Sequence, residues 1–140
     1  MAQSHLDVVK VLIDAGNREA SEWALSEYFT EDAEFEPARE FAALSQPVFR
    51  GHEELAHAWD LFHEAFADSR QEIGELTDAG DHVLAVVHWT VRGQASDVEV
   101  TFDLFEDYEF RGDKVSRMRF FLEREEALAA AGLGERGTAQ

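Results

Sequence analysis

Between Val98 and Phe110 apolar and polar residues alternate with the two-residue period of a half-buried β-strand, long enough to cross a whole sheet. Val98, Val100, Phe102, Leu104, Glu106, Tyr108 and Phe110 share one side. Glu99, Thr101, Asp103, Phe105, Asp107, Glu109 and Arg111 share the other. A strand so patterned requires a second layer over its apolar side. One acid, Glu106, points with the six apolar residues. Ionised carboxylates are costly to bury, so Glu106 is expected to line a cavity, to meet a base such as Arg117 or Arg119, or to stay protonated.

The neighbouring segments show what supplies that layer. Ser4 and Asp7 form a capping pair ahead of Leu6, Val9, Leu12 and Ile13 at helical spacing, with Gly16 as the stop. Asn17 is placed to cap a second helix with Ala20, Trp23, Ala24 and Tyr28 facing inward, followed by a short strand closed by Pro37. Residues 38 to 50 read as a partly helical flap over something apolar, through Phe41, Leu44, Val48 and Phe49. Leu55, Trp59, Phe62 and Phe66 then give a third helix an aromatic stripe. Strands follow near Glu72 to Leu76, from His82 to Arg92, from Val98 to Phe110 and from Val115 to Glu123. Asp78–Asp81, Gly93–Asp97 and Gly112–Asp113 punctuate them as turns. A helical turn from Glu125 to Ala131 ends at Gly132.

This order predicts an α+β fold: a curved antiparallel sheet packed on three helices from the N-terminal half, with a cone-shaped cavity between the layers. The 140 residues suit one domain over 1–133 and a disordered tail over 134–140. Phe105, and Phe121 between the arginines of the last strand, make the outer sheet face too apolar for solvent, so dimerisation through that face is expected.

Composition narrows the function. Thirty acidic residues stand against only two lysines, Lys10 and Lys114, and the formal charge is −18, which disfavours nucleic acid and anionic membranes as partners. No cysteine is present, which removes disulfides and thiolate metal sites. The first residues lack the basic start and apolar run of a secretion signal, and no segment is apolar for long enough to cross a bilayer, so a cytoplasmic location is expected.

Several side chains invite a chemical role. In HEELAH the histidines, His52 and His57, are five apart, whereas two ligands on one helix face need a spacing of four, so no zinc site is expected. His63 lies one turn beyond Trp59 on the border of the aromatic stripe, where it is a candidate proton shuttle or an ordinary hydrogen-bonding histidine. His88 is exposed if Val87, Trp89 and Val91 face inward. Trp59, Phe62, Trp89, Tyr108, Met118 and Phe120 are candidates to line a ligand cavity, although stripes of this kind are also ordinary core. Tyr28 and Tyr108 bring hydroxyls that need partners if buried, and Tyr28 too is a candidate ligand-binding residue.

Three strings taken in order, YFTEDAEFEP, FRGHEELAHAWDLFHEAF and EDYEFRGDKVSRMRFFLEREEALAAAGL, resemble the nuclear-transport-factor-2-like superfamily over nearly the whole chain. The likeness is to its SnoaL-like polyketide cyclase and ketosteroid isomerase branch. The resemblance implies a general-base carboxylate just before a proline on the first strand, which falls on Glu36. It also implies a carboxyl donor ahead of the last hairpin, which falls on Glu106. The family's tyrosine on the first helix falls on Val9, and both acids are Glu where the isomerases use Asp.

The expectation is therefore a dimeric SnoaL-like protein that binds a small, largely apolar molecule. If it is an enzyme, Glu36 or a water removes a proton beside a carbonyl and protonated Glu106 donates to the enolate oxygen, giving isomerisation or aldol-type cyclisation with no cofactor and no metal. Epoxide hydrolysis, another activity of such folds, calls for an Asp–Arg–Asp arrangement that the sequence does not display. The alternative is a noncatalytic ligand-binding or assembly module, in which Glu106 is paired or solvated and no void lies beside it.

Overall fold

The first helix starts where its cap predicts. Ser4 Oγ accepts the backbone N–H of Asp7 at 3.1 Å, and α1 runs over His5–Asn17. The computed structural model describes residues 4–17, 21–44, 46–93 and 98–133, and side chains at 16, 17, 21, 22, 42–44, 63, 66, 67 and 93 are outside that description. The expected 93–97 turn, inward Ala20 and the 134–140 tail fall largely or wholly outside it. Val8, Val9, Leu12, Ile13 and Ala15 form the buried side of α1. His5 stacks on Phe110 at 4.0 Å, and its ring nitrogens reach the carbonyls of Gly80 and Gly112, which ties the start of α1 to two hairpin turns.

Asn17 closes α1 rather than capping the next helix, α2, which spans Ser21–Tyr28. Ala24 and Leu25 are its buried residues, and Trp23 points outward at 49 % exposure. Eight residues give barely two turns, too few for the apolar period to identify the inner side.

Strand β1 (Phe29–Glu36) leads into a 3₁₀ segment (Arg39–Leu44), the short β2 (Phe49–Arg50) and α3 (Gly51–Ala65). Four strands follow: β3 (Phe66–Asp78), β4 (His82–Gly93), β5 (Glu99–Arg111) and β6 (Lys114–Phe121), then α4 (Arg124–Ala130). The aromatic helix therefore ends before Phe66, and β3 begins six residues ahead of the expected Glu72. The sheet order is β2-β1-β6-β5-β4-β3. Every pairing is antiparallel except β1 with β6, which is parallel. The result is a curved, unclosed, mostly antiparallel six-stranded sheet with four helices, the α+β architecture expected from the order of elements.

Helices α1, α2 and α3 cover the concave side, where Val83, Ala85, Val87, Trp89, Leu104, Val115 and Met118 are buried. Full burial of each such aliphatic chain contributes roughly 2 kcal/mol. Gly112, at φ +65°, makes the tight turn between β5 and β6 that places the inner residues of the two strands in register.

The convex side has its own small core. Leu84, Val86 and Phe105 pack with Phe121 against Ala127, Leu128 and Ala131 of the C-terminal helical segment, and the Arg124 guanidinium lies 5.1 Å from the Phe105 ring centre. The apolar residues that prompted an intermolecular interface are thus covered in part by the chain itself. Asp107, fully buried beneath α4, takes His82 Nδ1 at 2.8 Å and Arg119 Nη2 at 2.9 Å, and Arg119 also donates to the Ala130 carbonyl. His88 is exposed on this side and pairs with Asp103.

Candidate functional site

Glu106 and Tyr108, two residues apart on β5, both turn toward the helices. Their backbone neighbours across the sheet are Ala85 and Val83 on β4, and Phe120 and Met118 on β6. Glu106 is 0 % exposed. Among the described residues no arginine reaches it: Arg117 is engaged by Glu109 and Glu36, and Arg119 by Asp107, all on the opposite sheet face. Tyr108 Oη donates to Glu106 Oε1 at 2.6 Å, while Oε2 has no hydrogen-bond partner among the described residues. Burial pushes the Glu106 carboxyl up to about 7, against the opposing pull of Tyr108 and, secondarily, Gln71. Burial also raises the Tyr108 phenol, and the neighbouring carboxylate adds to that rise.

In front of this pair is a cavity of about 120 Å³. Leu12 and Ile13 of α1, Ala24 of α2, Phe29 and Phe35 of β1 and Trp59 and Phe62 of α3 form one side of its lining. Ser69 and Gln71 of β3, Trp89 of β4, Tyr108 of β5 and Met118 and Phe120 of β6 form the other. Among the described residues, none in this lining is charged. Phe35 is its aromatic hub, with ring centres of Trp59 at 5.5 Å, Phe62 at 6.2 Å and Phe120 at 4.9 Å. Phe41 from the 3₁₀ segment packs edge-on against Phe62 and Trp89, so the expected flap closes over the aromatic wall.

The candidates separate clearly. Trp59, Phe62, Trp89, Tyr108, Met118 and Phe120 meet around one space, and Glu106 lies directly behind Tyr108 rather than in the lining. Glu36 does not join them. Alternation along β1 turns Phe35 inward and Glu36 outward, where its carboxylate is 3.5 Å from Arg117 Nη1. Tyr28 is also away from the lining and packs edge-on against Trp23. His63 is on α3, but its side chain is outside the described residues. His52 contacts the carbonyls of Phe29 and Thr30, a structural role at the start of α3. No group of three His, Asp or Glu side chains suited to a metal occurs among the described residues.

Ser69 and Gln71 were missed from sequence because ADSRQE reads as a polar linker. A bulge between Ala67 and Arg70, with Asp68 at φ +49°, puts both side chains on the inner face.

The profile of the SnoaL-like domain family matches residues 9–118. The chain belongs to the SnoaL-like family. Among solved structures, this SnoaL-like protein is similar to TerC, crystallised with polyporic acid, at 15 % identity and a TM-score of 0.77, covering 91 % of this chain and 98 % of TerC. It is similar to a protein from Jannaschia sp. CCS1 described as a SnoaL-like polyketide cyclase, at 17 % identity and a TM-score of 0.74, covering 96 % of each chain. A cystatin-fold protein of Novosphingobium aromaticivorans is 27 % identical, with a TM-score of 0.69 over 85 % of this chain and 98 % of that one. No curated protein sequence gives a significant match. Among the described residues, no helix of the SnoaL-like protein is long and apolar enough to cross a membrane.

Proposed function

We propose that this SnoaL-like protein binds a small, largely apolar molecule in the cavity between α1, α2, α3 and the sheet, and transfers a proton at its Tyr108–Glu106 end. One observation carries the reading: a buried carboxyl with no basic partner among the described residues is bonded to a tyrosine that lines a largely apolar space. Near neutral pH, Glu106 is poised between its two protonation states.

The step is a relay. A C–H beside a ligand carbonyl loses its proton to Tyr108 Oη as the phenolic proton moves to Glu106 Oε1, leaving an enolate and a neutral Glu106. Reversal at a different carbon gives an isomer; attack of the enolate on a second carbonyl of the same molecule closes a ring, and the alkoxide takes the proton back. The relay uses Glu106 as the proton reservoir and assigns no part to Glu36, which faces away from the cavity. That TerC, which shares this fold, is crystallised with polyporic acid supports a small organic molecule as the occupant.

Acetophenone in D₂O tests the reading, with exchange of its methyl hydrogens followed by proton NMR. Exchange above the buffer rate that disappears in Glu106→Gln supports it. A wild-type rate equal to buffer, or full exchange in Glu106→Gln, overturns the proton transfer. Binding without exchange would leave the second reading, a noncatalytic ligand carrier, which the same cavity also serves. Pairing of two copies through the part of the convex face that α4 leaves open, around His88, Thr101 and Asp103, belongs to this proposal too and is read by sedimentation.

A further inference from the structure

The cavity has a second polar point, far from β5 in sequence. Ser69 lines it from β3, and Trp89 Nε1 is 2.5 Å from Ser69 Oγ. An indole N–H only donates, so the serine oxygen is the acceptor in this contact. Its own hydroxyl hydrogen is then directed away from Trp89, and no acceptor for it occurs among the described residues. A hydroxyl held in this way presents a donor to whatever fills the space.

Size and charge narrow the occupant further. The space of about 120 Å³ is close to that of a cavity of roughly 150 Å³ known to hold a single benzene ring. Among the described residues, the lining carries no cationic side chain to neutralise an anion, and the chain as a whole carries a formal charge of −18.

We propose that Ser69, oriented by Trp89, is the specificity-determining residue of the cavity, which takes a neutral molecule of about one ring whose carbonyl oxygen accepts the Ser69 hydroxyl. This deepens the proposed function and rests on it. A hydrogen bond to that carbonyl oxygen draws electron density from the adjacent C–H, which makes the proton that Tyr108 receives more acidic. Ser69 and the Tyr108–Glu106 pair then have separate tasks: one fixes and polarises the oxygen, the other moves the proton.

Acetophenone and cumene test the inference, because they have nearly the same shape and only acetophenone carries a carbonyl. Ligand-observed NMR gives their affinities for the wild-type protein and for Ser69→Ala. The expected result is about a tenfold loss for acetophenone and less than a twofold change for cumene, the size of one net hydrogen bond. Equal losses for both probes, or none for either, overturn the role of Ser69. The infrared carbonyl stretch of acetophenone bound to the wild-type protein supplies a reading that needs no variant. A stretch below its value in hexane is expected, and an unshifted one contradicts the bond. Two further probes check class: benzoate and 2-acetylanthracene are each expected to bind at least tenfold more weakly than acetophenone, and tighter binding of either removes the neutral or the single-ring limit. If neither acetophenone nor cumene binds the wild-type protein, the cavity reading falls as a whole. If cumene binds and acetophenone gains nothing from Ser69, only the present inference falls.

Discussion

The hydroxyl of Tyr108 lies 2.6 Å from Glu106 Oε1, and the two side chains leave β5 on the same face with no basic group among the described residues opposing the acid. That pairing couples an inaccessible carboxyl to the cavity through one phenol. An ionised Glu106 holds the phenolic hydrogen and leaves the Tyr108 oxygen as an acceptor toward the ligand. A protonated Glu106 supplies a hydrogen of its own and frees the phenol to donate. The state of a residue that never touches the ligand thus sets the polarity of the ligand's surroundings.

The same burial makes stability depend on pH. Glu106 ionises at about 7 in the folded chain against 4.5 for an ordinary glutamate, so between these values the native state binds more protons than the unfolded one. Stability from this group is fully present below pH 4.5, falls as pH rises toward 7 and levels off above it, a loss of about 3 kcal/mol. Urea unfolding of wild type and Glu106→Gln across pH 4 to 8 is expected to show this slope in the difference between the two proteins. A difference independent of pH would contradict it.

Glu36 supplies a contrasting acid. Its carboxylate pairs with a partly exposed Arg117 on the convex side, so Glu36→Gln is expected to cost under about 1 kcal/mol of stability and to change acetophenone binding less than twofold. Isothermal titration checks this. A tenfold loss would bring Glu36 back into the site.

Beneath α4, Arg119 joins the buried Asp107 to the carbonyl of Ala130. Replacing it by Met leaves His82 as the remaining partner of Asp107 and is expected to destabilise the protein by about 3 kcal/mol. Hydrogen exchange should quicken in α4 first, with cumene binding retained under native conditions. Unchanged protection in α4 would show that the helix is held by its apolar contacts alone.

Ala24 offers a test of the cavity itself, since its side chain lines the space from α2. Ala24→Leu is expected to fill part of it, weakening cumene at least tenfold, while the thermal midpoint holds or rises because the added carbons enter an existing void. Undiminished binding would place the ligand elsewhere.

Much of this architecture is legible from alternation and spacing. Parity along Val98–Phe110 isolates Glu106 before any fold is known, and the α3 stripe supplies Trp59 and Phe62. The same parity assigns Glu36 outward, since its neighbour Phe35 is inward; the resemblance to the isomerases points the other way, and the strand geometry prevails. Ser69 and Gln71 are hidden in a polar stretch whose inward turn depends on a bulge with Asp68 at positive φ. Phe105 and Phe121 look destined for another molecule because a seven-residue helix at the chain's end gives no local sign that it folds back over them.

The most direct test is the titration of Glu106 itself, followed by its side-chain carboxyl ¹³C resonance and assigned through Glu106→Gln. The account predicts a midpoint at about 7, displaced when acetophenone occupies the cavity. A midpoint near 4.5 that acetophenone leaves unmoved would contradict it.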